Sequence, residues 1–169
     1  MSSTLKTAQS SLKIDSVTLR QSSIVVGEEV DPPMIDRSQT VVQSFRSVSK
    51  IKITTLSDDE GNEEWDYRYL YTVGMRLVYE SDLEENLSSE DISVLFEVVA
   101  IFEAKYLSER ELKEEETKAF AKASVGYHVW PYWREYVHSS CSKVGLSPVL
   151  EVPLYFMPNN DKSTSERND

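Results

Sequence analysis

Across residues 65–79 every odd position is apolar or aromatic (Trp65, Tyr67, Tyr69, Tyr71, Val73, Met75, Leu77, Tyr79), while the even ones include Asp66, Arg68, Thr72 and Arg76. A period of two sends successive side chains to opposite faces, so this stretch predicts a strand with one packed and one wet face. Residues 92–107 carry the apolar set on even positions, from Ile92 and Val94 to Ala104 and Tyr106. Their odd face mixes Leu95, Val99 and Ile101 with Ser93, Glu97, Glu103 and Lys105, which predicts partial cover on that side as well. Residues 11–26 read as a strand whose parity switches between Ile14 and Val17, and a bulge near Asp15-Ser16 would make that switch. Residues 41–56 are a further strand, clearest at Ile51 and Ile53 between Lys50, Lys52 and Thr54. Residues 27–33 are a linker by composition. Two acidic turns, 57–64 with its Gly61-Asn62 pair and 80–86, are short enough to join antiparallel neighbours.

Past Leu107 the period lengthens. Ser108-x-x-Glu111 matches a capping box and predicts a helix to about Ser124, with Leu112, Ala119, Phe120 and Ala123 on one side and Glu109, Glu114, Glu115 and Glu116 on the other. Gly126 is expected to separate it from a second helix. That helix should begin near Trp130, because proline is tolerated in a first turn and Pro131 lies there. Val129, Trp133, Val137, Cys141 and Val144 then form one stripe, and Gly145 ends the helix with Lys143 in its last turn. Pro148 and Pro153 keep the following arm, through Phe156, extended. The expected fold class is α+β: a four-stranded antiparallel, meander-like sheet followed by two helices packed on one face. Residues 1–10, rich in serine and threonine, are expected to be loose. A single domain should cover 11–157, and the polar residues 158–169 should be disordered.

At 169 residues the chain is one domain in length. A formal net charge of −11 and a pI near 4.7 argue against nucleic acid or an anionic membrane as partner, and favour basic or unfolded cationic ones. One cysteine excludes an internal disulfide and suits a reducing, cytoplasmic setting. No apolar run is long enough to span a bilayer, and residues 1–11 lack the apolar stretch of a signal peptide.

Candidate chemistry is sparse. Cys141 follows His138 by three residues, a spacing that could set a thiolate beside an imidazole, yet a cysteine inside an apolar helical stripe reads first as core. His128, His138 and Cys141 lack the spacing of a metal site. The carboxylates sit in turns and on a helix flank, and the five glycines are scattered. Neither catalysis nor a cofactor or metal is expected. The excess is aromatic: Trp65, Tyr67, Tyr69, Tyr71 and Tyr79 on one strand, and Trp130, Tyr132, Trp133 and Tyr136 on the helix. Most belong in a core or a subunit interface. Together they could also line a groove for extended polypeptide, held by side-chain contacts and strand-edge hydrogen bonds.

Pro131-Tyr132-Trp133-Arg134-Glu135, then Ser139, a glycine stop and Pro148-x-Leu150-x-Val152-Pro153-x-x-Phe156 resemble the main helix and helix-connecting loop of the SecB export chaperones. Those proteins carry Pro-Tyr-x-Arg-Glu and Pro-x-Leu-x-Leu-x-Pro-x-x-Phe, and this chain lacks one residue before the second proline. The resemblance implies an ATP-independent holdase, a homotetramer built as a dimer of dimers, that keeps secretory precursors unfolded for the SecA motor. It implies client contact through Trp130, Tyr132, Trp133, Leu150, Val152, Leu154 and Phe156. Divergent SecB-like proteins instead hold the antitoxin of a toxin–antitoxin pair. An acidic inhibitor presenting Asp58, Asp59, Glu60, Glu63 and Glu64 to a basic surface is the alternative from another class.

Overall fold

The strand periods fold into one antiparallel sheet of β1 (Lys13–Val26), β2 (Thr40–Ser57), β3 (Glu63–Tyr79) and β4 (Val94–Ser108), in the spatial order β1-β4-β3-β2. The computed structural model describes residues 3–85 and 92–155. The tail at 158–169 and Phe156 therefore lie outside the described residues. The order corrects the expected meander. β2, β3 and β4 are joined as neighbours, but β1 lies beside β4, so the chain after β1 crosses the sheet end through two short 3-10 turns, Pro32–Met34 and Arg37–Gln39. This is a Greek-key order, and it puts the two most apolar strands in the middle, leaving β1 and β2 as edges.

The predicted bulge is present: the β1–β4 register shifts between Ile14 and Ser16, with a second shift between Leu19 and Gln21. Each extra residue restores the inward parity, so Ile14, Val17 and Leu19, then Ile24 and Val26, all pair with the even face of β4. That face and the odd face of β3 carry the core. Tyr67, Tyr69, Val73, Met75, Leu77, Phe96, Val98, Phe102 and Tyr106 are buried beneath the helices, each large side chain contributing roughly 1.5–3 kcal/mol by leaving water.

Residues 1–10 are not loose where described. Ser3–Ser11 is a helix, α1, that packs on the later helical segment, with Ala8 fully buried and Gln9 Nε2 donating to Ser124 Oγ over 3.0 Å. The acidic turn after β3 contains a short helix, α2 (Glu80–Glu84).

The two expected helices are one. α3 (Glu114–Phe120) runs through a π-helical segment, Ala121–Val125, directly into α4 (Gly126–Lys143). Its start also differs from expectation. Ser108 donates to the Arg110 carbonyl instead of capping, and the reach-back glutamate is Glu116, which accepts from Lys113 N over 2.8 Å and from both Arg110 terminal nitrogens over 2.9 Å. Glu116 is buried, so the bidentate arginine supplies what water would have supplied. Pro131 lies inside the helix, not at its start. Its missing N–H would have bonded the Tyr127 carbonyl, and both residues are on the exposed side, where solvent replaces the lost donor. The far end matches expectation. Gly145 at φ 73° closes a Schellman motif in which Leu146 N donates to Cys141 O and Gly145 N to Ser142 O.

Candidate functional site

The stripe of Val129, Trp133, Val137 and Cys141 faces the sheet and is fully buried, so the α4 axis is fixed over β3 and β4. Past the Schellman turn the arm lies back along the helix. Leu150 and Val152 are buried, and the Trp130 indole donates through Nε1 to the Pro153 carbonyl over 2.7 Å. Strict alternation would turn Leu154 inward next. Instead Tyr155 takes the inward place and Leu154 is 64% exposed.

Gly126 is the reason. A Cβ there would come within 2.5 Å of the Tyr155 hydroxyl oxygen and 2.8 Å of two ring carbons. The glycine expected to stop a helix is a notch in its surface that admits a tyrosine ring. Tyr155 meets the Trp130 ring edge-on at 5.2 Å between centroids, and the Arg46 guanidinium of edge strand β2 lies over both, 4.6 Å from Tyr155 and 5.1 Å from Trp130. A cation over two rings contributes roughly 0.5–1 kcal/mol at an exposed site.

This cluster divides a trough between β2 and the helix–arm unit. On one side a cavity of about 680 Å³ is lined by β2 from Arg46 to Ile51, by Tyr71, and by Lys118, Ala121, Lys122 and Tyr155. On the other a cavity of about 350 Å³ lies among Arg46, Val73, Met75, Trp130, Trp133, Val152, Pro153 and Leu154. Each has the volume of a small-ligand pocket. Burial pushes the Tyr71 phenol up to about 12, so its hydroxyl adds no negative charge at neutral pH.

Of the seven residues expected to contact a client, Trp130 and Trp133 line the smaller cavity from largely buried positions, with Val152 and the exposed Leu154 beside them. Leu150 is core. Tyr132 is 49% exposed but lines neither cavity, and Phe156 is outside the described residues. Sequence reasoning missed Arg46, Lys118, Lys122 and Tyr155, while Tyr71 was among the aromatics expected to line a groove. Tyr155 had a signal, its place in the arm, whereas Arg46 lies in a strand segment with no motif and reaches the site only through sheet order.

The nucleophile candidate is inert in form. Cys141 is fully buried, and burial pushes its thiol up, away from the reactive thiolate. His128 is hydrogen-bonded to the buried Tyr106 hydroxyl at 2.9 Å. Among the described residues no group of three His, Cys, Asp or Glu side chains could hold a metal, and no helix is long and apolar enough to cross a membrane. The acidic hairpin tip is an ordered turn in which Asp58 accepts from the backbone of Glu60 and Asn62 and from the Asn62 side chain.

No family model matches the sequence, and no curated protein matches it. The fold is similar to that of the Mycobacterium tuberculosis SecB-like chaperone Rv1957, solved in complex with a ChAD peptide from the Rv1956 HigA1 antitoxin. The two share 17% sequence identity and a TM-score of 0.56, over 89% of this chain and 96% of that one. The four-stranded antiparallel sheet with its helices on one face thus gives this chain a SecB-like fold.

Proposed function

We propose that this protein is an ATP-independent chaperone that holds unfolded polypeptide in the trough between β2 and the helix–arm unit. The observation that carries the reading is the pair of cavities on either side of the Arg46 cluster, with aromatic and aliphatic side chains in their walls, beside an unpaired edge strand. Edge strands attract extended chains, and a wall of rings gives them apolar contact without sequence-specific readout. Trp130, Trp133, Val152 and Leu154 line one of them, and Tyr71 and Tyr155 the other. The structurally similar chaperone was solved with an antitoxin peptide, which favours a dedicated antitoxin client over a general pool of precursors bound for SecA. In this reading the protein is non-catalytic and cytoplasmic, and it assembles as a homotetramer.

The experiment is suppression of aggregation of a chemically unfolded client by near-stoichiometric protein without nucleotide. Full suppression is expected, and no suppression even with the protein in excess ends the proposal. Polypeptides co-purified with the protein separate antitoxin from export service, and light scattering reads the oligomer. Neutralising Asp58, Asp59, Glu60, Glu63 and Glu64 together should leave holding intact. Its loss would favour the acidic-inhibitor reading instead.

A further inference from the structure

The chain is strongly acidic, yet the larger cavity is lined by Arg46, Lys50, Lys118 and Lys122 and by no carboxylate. Lys118 is paired with Glu114 on the same helix. Arg46, Lys50 and Lys122 have no ion-pair partner among the described residues. Between these cations the walls are apolar, formed by Val48, Ile51, Tyr71, Ala121 and the Tyr155 ring. The guanidinium carbon of Arg46 lies 4.6 Å from the Tyr155 ring centre and 5.1 Å from that of Trp130, which holds the head group at the cavity wall, and its donors have no carboxylate partner among the described residues.

We propose that this cavity is an anion-accepting subsite, and that the polypeptide segment held there presents acidic side chains among apolar ones on its trough-facing positions. The proposal rests on the chaperone reading above and adds the class of segment. Along an extended peptide beside β2, every second side chain faces the trough. Among those that do, apolar ones fill the walls, and an Asp or Glu meets Arg46, Lys50 or Lys122. Charge-assisted contacts of this kind are roughly twice as strong as neutral ones. The net charge of −11 opposes approach of an acidic segment from a distance, so the preference arises from contacts inside the groove and not from steering. The same net charge disfavours single-stranded nucleic acid, whose phosphates cannot be interleaved with apolar side chains.

The test is fluorescence anisotropy of the full chain with a dye-labelled peptide whose every second residue is leucine, glutamate or tyrosine in turn, with serine between them, and with its counterpart carrying glutamine at each glutamate. The glutamate peptide is expected to bind about tenfold tighter at low ionic strength, with the gap closing as salt rises. Arg46→Gln and the double variant Lys50→Gln with Lys122→Gln should each shrink that gap. The glutamine peptide reports whether the trough is intact in each variant. Equal binding of both peptides overturns the acidic-segment assignment and leaves the chaperone reading standing. If neither peptide binds and aggregation is not suppressed, both fall. A glutamate preference that survives both variants, or displacement of the peptide by a single-stranded oligonucleotide, also overturns the assignment.

Discussion

The Trp130 indole nitrogen and the Pro153 carbonyl oxygen are 2.7 Å apart, 23 residues apart in the chain, and joined by a hydrogen bond that ties the arm to the helix. Trp130→Phe keeps an aromatic ring beneath Arg46 but removes the donor. The hydrogen bond's share of the stability loss is about 0.5–1.5 kcal/mol, because the exposed Pro153 can turn its carbonyl to water, and the buried volume that phenylalanine leaves empty adds to it. Ring resonances locate the effect: those of Tyr155, which packs on Trp130, should shift while the amide exchange of β3 and β4 does not change. Unchanged Tyr155 resonances would show that the bond does not hold the arm.

Gly126→Ala separates helix stability from arm position. Alanine favours a helix interior over glycine by about 1 kcal/mol, but its Cβ would collide with the Tyr155 ring tip. The unfolding midpoint should hold or rise while the ring is expelled from its notch, read as a shift of the Tyr155 ring resonances. A large fall in midpoint with the ring unmoved would contradict the notch.

Tyr67 and Tyr69 are two buried tyrosines on one strand face with opposite expected responses to phenylalanine. The Tyr67 hydroxyl accepts from the buried Leu112 N–H over 2.7 Å. Tyr67→Phe strands that donor and should cost about 1–3 kcal/mol. The Tyr69 hydroxyl is buried without a hydrogen-bond partner, so Tyr69→Phe removes a desolvated group and should be neutral or stabilising by up to about 1 kcal/mol. Denaturant titrations of the two variants check the order.

Acid should weaken the fold in two stages. Burial lowers the His128 pKa from its usual 6.5, so the unfolded chain takes up that proton first. Its contribution is complete above the unfolded value and is lost as pH falls through it toward the folded one. Glu116 is held below the usual 4.5, first by the Arg110 side chain and then by the Lys113 amide. Its share is present above about 4.5 and is lost as pH falls through the depressed value. Midpoints measured against pH should therefore slope downward below about 6.5 in the native chain. The upper part of that slope should flatten in His128→Gln, and the lower part in Glu116→Gln. A native profile unchanged by either substitution would remove both groups from the account.

The local grammar was legible because it is enforced locally. The packed parity of β3 and β4, the Asp15 bulge and the Gly145 stop each follow from one residue's geometry or a period of two, and the structure carries all of them. The even face of β3, expected to be wet, is instead largely covered: Asp66 and Val78 are buried, and Asp66 pairs with Arg68. The helical stripe from Val129 to Cys141 was readable for the same reason. Pro131 and Gly126 were misread because their local preferences permit a helix boundary without requiring one. A helix already packed on a sheet can carry a proline on its wet side and a glycine against a ring. Glu116 displaced Glu111 as the reach-back residue because Arg110 was positioned to share it.

By itself the amino-acid order determined four strands, the packed faces of β3 and β4, the dominant apolar stripe and the trailing arm, since these rest on contacts between near neighbours and on the burial of apolar surface. Only tertiary structure decided that β1 lies against β4, that Tyr155 replaces Leu154 in the trough, and that Arg46 meets Trp130. Those pairings join residues far apart in the chain, and their free energy depends on how whole elements dock.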